Sequence, residues 1–292
     1  MARNEKRTTK SPLLSVVMAN FNGERYIGDA IRSVLRQTFH EFELIIIDDG
    51  SIDESREIIR AMAEMDPRIT ILFQEHLGLV KALNRGCNAS RGVYVARLDA
   101  DDIAMPQRFE QQMAFLRRGS AVLVGGSIEC IDSDGKERFV VTFPKWLEGL
   151  KELLMVNCYL AHTTVMFRRE VFAAAGGYRP RFECAEDYDL FLRISEEYVI
   201  ENLSEVLCQY RLHDAQASLQ KVSQQVISSI GARLAAWARR SHLEEPKWKG
   251  DVIAREDLAS LGLRSERIDE LITKHRRAGI KELLDWKKFL ET

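Results

Sequence analysis

The chain has 292 residues, 46% of them apolar and 29% charged, an ordinary soluble composition with enough material for one large domain or two. A formal net charge of −2 removes the electrostatic case for nucleic acid as the main partner. Five cysteines without CxxC spacing argue against a disulfide framework and against a zinc site, and fit reduced thiols in the cytosol.

Residues 1–11 are polar and basic and read as a disordered lead-in. Leu13 to Ala19 predicts a strand, ending in the turn Asn20-Phe21-Asn22-Gly23. Tyr26, Ile27, Ala30, Ile31, Val34 and Leu35 then share one helical face. A second strand, Phe42 to Ile47, runs into Asp48-Asp49-Gly50-Ser51. Ser51 and Glu54 have capping-box spacing for a helix through about Glu64. A third strand is expected at Ile69–Phe73 and a helix over Val80–Ala89. A fourth strand, Val93–Leu98, breaks off into Asp99-Ala100-Asp101-Asp102.

Four strand–helix alternations in a row predict a parallel sheet with helices on both faces, and ligands in such sheets bind at the carboxyl ends of strands. Beyond the acidic strand end, a helix is expected from Pro106 to Arg118 and an extended run from Ala121 to Ile131. Asp132 to Gly135 reads as a hairpin turn into Glu137–Phe143, so antiparallel strands join the parallel set. Trp146–Val156 reads as a helix and Thr163–Phe167 as a strand. A short helix then ends near Gly176-Gly177, and another opens at Glu186-Asp187. Val206–Leu212 is a last strand, with His213 just past it.

From about Val222 the chain looks wholly helical, interrupted at Pro246 and Gly250, giving an expected division into residues 12–220 and a C-terminal helical extension, 221–292. Arg233, Arg239, Arg240, Lys247 and Lys249 with Trp237 and Trp248 could touch a membrane surface, or form a solvated face with snorkelling stems. No stretch approaches the ~18 apolar residues of a spanning helix, so a cytoplasmic protein is expected, with peripheral contact at the inner membrane face as an option.

Three carboxylates in four positions repel one another and call for a cation; clustered oxygen ligands suit Mg²⁺ or Mn²⁺, which commonly also hold substrate phosphates. No GxxxxGK[ST] loop or GxGxxG turn is present, which disfavours NTPase and dinucleotide readings and leaves a nucleoside diphosphate derivative. Asp48 and Asp49 could accept hydrogen bonds from a base or ribose, or simply form the turn. Glu186-Asp187 could serve as a general base, or answer the helix dipole; the residues alone leave both open.

SVVMANFNGERYIGDAIRSVLRQTF, ELIIIDDGSIDES, ARLDADD and AEDYDLFLRI, in this order, resemble the family 2 glycosyltransferases of GT-A fold over about residues 12–215. The resemblance implies an inverting enzyme with a nucleotide-diphosphate sugar donor and Mn²⁺ or Mg²⁺. It implies Asp49 at the base, Asn20 and Asn22 lining that pocket, and Lys81, in the matching GLVKALNRGCNASRG, at the donor nucleotide. Asp99 and Asp101 would be the DxD pair: Asp101 ligates the metal, Asp99 leans to the ribose, and Asp102 shares either duty. Asp187 matches the catalytic base, with Glu186 tuning it or binding the acceptor. His213 falls where similar proteins place a histidine near metal or diphosphate, and His162, less pointedly, near the donor. Lacking a QxxRW motif, the chain is expected to move one sugar or few, to a glycan or lipid-linked acceptor met by residues 144–185 and the helical tail, as in bacterial surface polysaccharide synthesis. A sugar-1-phosphate nucleotidyltransferase would want a Gly-rich basic loop after the first strand, which Asn20 to Gly23 does not supply. A silent nucleotide-sugar-binding protein would not need every acidic position intact.

Overall fold

The computed structural model describes residues 11–146 and 149–278; the lead-in before residue 11 and the end of the expected helical tail lie outside them. Strands β1 (Leu14–Asn20), β2 (Phe42–Asp48), β3 (Ile69–Phe73) and β4 (Tyr94–Arg97) alternate with helices α1 (Ile27–Leu35), α2 (Ser55–Met65) and α3 (Leu79–Ala89). The four strands pair in parallel in the order β3-β2-β1-β4. β2 is buried along its whole length, as the Ile45-Ile46-Ile47 run requires of a strand covered on both faces. The β1–β2 register sets Asn20 opposite Asp48, so the polar strand ends meet at one edge.

The second half of the sheet is mixed. After β4 come β5 (Ile103–Ala104), α4 (Arg108–Arg118), β6 (Leu123–Ile131), β7 (Glu137–Val141), α5 (Leu150–Leu153), β8 (Met166–Arg168), α6 (Arg169–Ala174), α7 (Glu186–Glu197) and β9 (Ile200–Arg211). The sheet continues β4-β8-β6-β9-β5, with β7 on β6. β8 runs antiparallel to both neighbours, and β9 runs parallel to β6 with a register shift after Gly126. β5, antiparallel to β9, pairs Ile103 with Gln209. That pairing brings the stretch just after the acidic strand end against Arg211 and His213.

Helices α8 (Ala217–Gln220), α9 (Val222–Arg240), α10 (Arg255–Ser260) and α11 (Ser265–Arg277) complete the described chain. α9 packs on α7 and α11. Ile227, Ile230, Ala235, Ile253 and Ile268 belong to the same buried cluster as Val16 and Ile46.

Several expected elements take another form. Ser51 does not cap α2, which begins only at Ser55. Its hydroxyl instead accepts the Asn22 N–H at 2.9 Å and the Asn20 amide at 3.1 Å, a stronger claim than a helix end can make. Of the expected Trp146–Val156 helix, residues 147 and 148 lie outside the described residues and the rest is reduced to α5: Gly149 sits at φ 85, and Met155 and Val156 make i→i+3 bonds. Thr163 lies in a 3₁₀ turn, His162–Thr164, rather than in β8. Residues 241–254 are irregular, folded back so that Trp248 meets Phe182 edge-on at 6.4 Å. The basic face is also partly spoken for: Arg239 pairs with Glu196 and Glu245, and Arg240 reaches Ser195, whereas Trp237 stays exposed. Among the described residues no helix is long and apolar enough to cross a membrane.

α7 is anchored by charge. Asp189, fully buried, accepts from Arg179 Nε at 2.9 Å and from Arg193 Nε and a terminal nitrogen at 3.0 and 2.8 Å. Arg179 continues to Glu245, tying the loop before α7 to the segment after α9. Removing one partner of a buried ion pair strands the other charge, typically for about 3–5 kcal/mol. Asp189→Ala should lower unfolding free energy by about that amount in urea titration; a change below about 1 kcal/mol would show the guanidinium groups need no partner.

Candidate active site

The first wall is built from the ends of β1 and β2. Asp48 is fully enclosed and accepts from Asn20 Nδ2 (3.2 Å), the Ser51 N–H (3.2 Å) and Arg56 Nε (2.7 Å). Burial pushes its carboxyl up, but the bonds from Ser51, Arg56 and Asn20 outweigh it and hold the group below the usual carboxylate range. Asn22, at φ 51, caps the facing turn by accepting the Ile52 N–H at 2.9 Å. In this structure Asn20, Asn22 and Asp48 therefore lock two loops together.

Asp49 points the other way. Its Oδ1 accepts Gln74 Nε2 at 2.6 Å and the Leu77 N–H at 2.9 Å; its Oδ2 accepts the Gly78 N–H at 2.9 Å and lies 3.0 Å from His76 Nδ1, whose hydrogen bond goes to the Asp49 carbonyl oxygen. The loop between β3 and α3 is thus wrapped around one carboxylate. Gly50 makes the close approach feasible, with φ 84 and a hypothetical Cβ only 2.6 Å from the His76 nitrogen. Lys81 stands exposed in the first turn of α3, just past this loop.

The second wall is the acidic strand end. Asp99, Asp101 and Asp102 can each present an oxygen with all three within 4.8 Å of one another. Asp99 is gripped by both terminal nitrogens of Arg97, Asp101 Oδ2 meets His213 Nε2 at 2.9 Å, and Asp102 Oδ1 accepts the Arg211 N–H at 2.8 Å. Asp102 Oδ2 is buried and has no hydrogen-bond partner among the described residues. Burial, and then the neighbouring Asp101 charge, push the Asp102 carboxyl up to about 8. A buried acceptor without a donor, in a trio of converging carboxylates beside an imidazole, fits a hard divalent cation. Asp101, Asp102 and His213 are the side chains placed to hold it, with Asp99 turned partly to Arg97.

The third wall is the start of α7, entered through Cys184 at φ 67. Asp187 Oδ1 accepts the Tyr188 N–H at 2.7 Å, and its Oδ2 lies 3.8 Å from His162 Nδ1. His162 Nε2 bonds the Tyr178 hydroxyl at 2.8 Å. Burial holds His162 well below its ordinary value, with the Arg97 charge adding to it, so the ring is neutral at neutral pH. Burial and then Asp187 push Glu186 up to about 7; burial raises Asp187 as well. A carboxyl titrating near neutrality beside a second one is the condition for proton transfer at working pH.

The residue that sequence reading passed over is Arg97. Its side chain is almost entirely buried, at 5% exposure, between the second and third walls. Its positive charge bears on Asp102, Glu186 and Asp187 alike, favouring their ionised forms against burial. A charge inside an apolar strand run was the available signal. Thr163, whose hydroxyl accepts the Asp99 N–H at 3.3 Å, and Arg211, whose Nε reaches the Asp101 carbonyl at 2.9 Å, offered no comparable cue.

Three acidic groups gather around one edge of the sheet, and the relatives give the class of protein. The description "Glycosyl transferase family 2" fits residues 15–176, and the chain belongs to that family. It is 35% identical over 206 residues to the O-antigen biosynthesis glycosyltransferase WbnJ of Escherichia coli, covering 69% of this chain and 80% of that one. It is 31% identical over 204 residues to the amylovoran biosynthesis glycosyltransferase AmsE of Erwinia amylovora, covering 68% and 76%. The mannosyltransferase PcManGT of Pyrobaculum calidifontis, in complex with GDP-Man and Mn²⁺, shares the fold at TM-score 0.61 and 17% identity, over 97% of this chain and 79% of that one.

Asp102 supplies a test. The folded protein keeps a proton there up to about pH 8 that the unfolded chain releases near 3.8, so this group's contribution to stability declines as pH climbs between the two. Asp102→Asn keeps an oxygen for the Arg211 N–H and should flatten that decline in melting curves, while erasing any thermal stabilisation by Mn²⁺. Undiminished Mn²⁺ stabilisation in the variant would exclude Asp102 as a ligand.

Proposed function

We propose that this glycosyltransferase is a metal-dependent, inverting enzyme that moves one sugar from a nucleoside-diphosphate donor to a hydroxyl of a glycan or lipid-linked saccharide. The observation that carries the reading is the shared position of Arg97, which sets the Asp99–Asp101–Asp102 cluster and the Glu186–Asp187 pair on two sides of one buried charge. The Mn²⁺ held with a sugar nucleotide in the PcManGT complex supports the donor and cofactor assignment. The names of WbnJ and AmsE support a bacterial surface polysaccharide as the product.

A bound Mn²⁺ or Mg²⁺ would neutralise the diphosphate as it departs. Asp49 would meet the base, with Asn20, Asn22 and Asp48 holding the turn that carries it, and Lys81 would stand at the nucleotide's edge. Asp99, shared with Arg97, would be left for the ribose. Asp187, the more exposed of the acidic pair, would take the acceptor hydroxyl's proton, so that the freed oxygen attacks the anomeric carbon in line with the departing diphosphate. Glu186, behind it, would hold the pair's second charge and share the proton; the two titrate as a unit. His162, neutral and pinned by Tyr178, would fix the orientation of Asp187.

The base must be ionised to act. With Glu186 near 7 and Asp187 raised, transfer should rise with pH through about 7 and level off above it. Asp187→Asn should bind donor with Mn²⁺ as the wild type does in calorimetry, yet lose about 10²–10⁴-fold in transfer. Wild-type transfer rates in that variant would remove Asp187 from the role, and nucleotide binding indifferent to Mn²⁺ would remove the metal.

A further inference from the structure

The turn after β1 and the turn before α3 meet through two exposed rings. Phe21 and His76 stack with centroids 3.9 Å apart and planes 23° from parallel. Phe21 is 46% exposed and the His76 side chain 57%, so neither ring serves the core. The imidazole is nevertheless placed by two contacts: Nδ1 lies 3.0 Å from Asp49 Oδ2 and 3.1 Å from the Asp49 carbonyl oxygen. Both are acceptors, so Nδ1 carries the hydrogen.

Counting positions on the Asp49 carboxylate shows what the ring occupies. A carboxylate offers about four acceptor sites. Two are taken by the Leu77 and Gly78 backbone amides, fixed by the chain itself, and a third by Gln74, whose own Oε1 is held by Arg85. The fourth is covered by His76, whose Nδ1 lies 3.0 Å from Oδ2 while its hydrogen bond goes to the Asp49 carbonyl, on a side chain that can swing into water without opening the core. As it stands, Asp49 has no room for a ligand's N–H, and the face of Phe21 toward it is covered.

We propose that His76 is a displaceable stand-in for the donor's nucleobase. The inference rests on Asp49 as the base contact, and it names both the occupant of that site and the class of base that replaces it. A flat ring stacked on Phe21 and giving one N–H to Asp49 is what uracil, thymine or guanine presents, each having a ring N–H. On donor entry the His76 hydrogen bond to the Asp49 carbonyl breaks, a base N–H takes the Oδ2 position that the ring had covered, and the imidazole moves to solvent. The apparent affinity is then the intrinsic affinity reduced by the fraction of molecules in which the ring has already left.

Calorimetry with UDP, TDP and GDP in the presence of Mn²⁺ tests this on the full chain. For whichever nucleotide binds the wild type, His76→Ala should bind it about three- to tenfold more tightly, the range expected for removing one competing hydrogen bond and one ring stack. Equal or weaker binding by the variant would overturn the proposal, making the imidazole a wall of the pocket or a bystander. Failure of all three to bind the wild type would instead overturn the nucleoside-diphosphate reading beneath it. The wild type provides a check that needs no variant to fold. The His76 ring-proton signals, assigned by their loss in His76→Gln, should lie upfield through the Phe21 ring current and move downfield on saturation with that nucleotide. Signals that stay in place would overturn the proposal equally.

Discussion

Arg97 is the charge about which the rest of the site is balanced. A guanidinium this deeply buried is tolerable only when carboxylates answer it, and Asp99 does so with both oxygens. The converse also holds, because Asp101, Asp102, Glu186 and Asp187 crowd the same region as Arg97, with the buried Arg108 and Arg211 on the Asp102 side. The surplus of negative charge is relieved in part by protonation, with Asp102 lifted to about 8 and Glu186 to about 7. That same surplus favours a divalent cation at this place. The pair also fixes distance: Arg97 is the last residue of β4, and its grip holds Asp99 at the strand end.

The sheet explains how such separated residues converge. The parallel half presents its carboxyl ends at one edge; the β1–β2 register sets Asn20 beside Asp48, and Asp49 turns into the β3–α3 loop. The mixed half then brings the return strand to the same edge. β5 pairs with β9, so Asp101 and Asp102 are met by His213 and Arg211, more than a hundred residues along the chain. α7, anchored through Asp189 to Arg179 and Arg193, delivers Glu186 and Asp187 to the opposite side. The C-terminal helices contribute from behind, as α9 packs against α7 and Arg239 and Glu245 extend its ion-pair network.

Much of this was legible in the sequence, and for identifiable reasons. Alternating apolar strands and amphipathic helices carry a period that survives any tertiary context, so the parallel half was read within a residue or two at most boundaries. The acidic clusters were visible because like charges side by side are costly and demand an explanation. Arg97 escaped because its importance lies in what surrounds it: a lone arginine in a strand says nothing about two acidic groups that arrive later in the chain. Ser51 was misread because a hydroxyl near a helix start satisfies the local rule for a cap, whereas the Asn20 and Asn22 donors that claim it come from another strand end. The helix expected after Trp146 shrank to one turn because Gly149 takes a left-handed conformation that propensity alone did not reveal.

The sequence by itself determined the architecture of the first hundred residues, the edge at which the polar strand ends gather, and the list of acidic groups concerned. Those follow from periodicity and local charge, which act between neighbours in the chain. Tertiary structure decided how the acidic groups divide their duties. Asp48 became a buried strut with both its oxygens engaged, Asp49 became the hub of the β3–α3 loop, and Asp101 gained His213. It also decided that Glu186 titrates near neutrality, because burial beside Asp187 is a property of packing and not of the dipeptide. Hydrogen-bond partners and desolvation are set by residues distant in sequence, and they became apparent only once the sheet had brought them together.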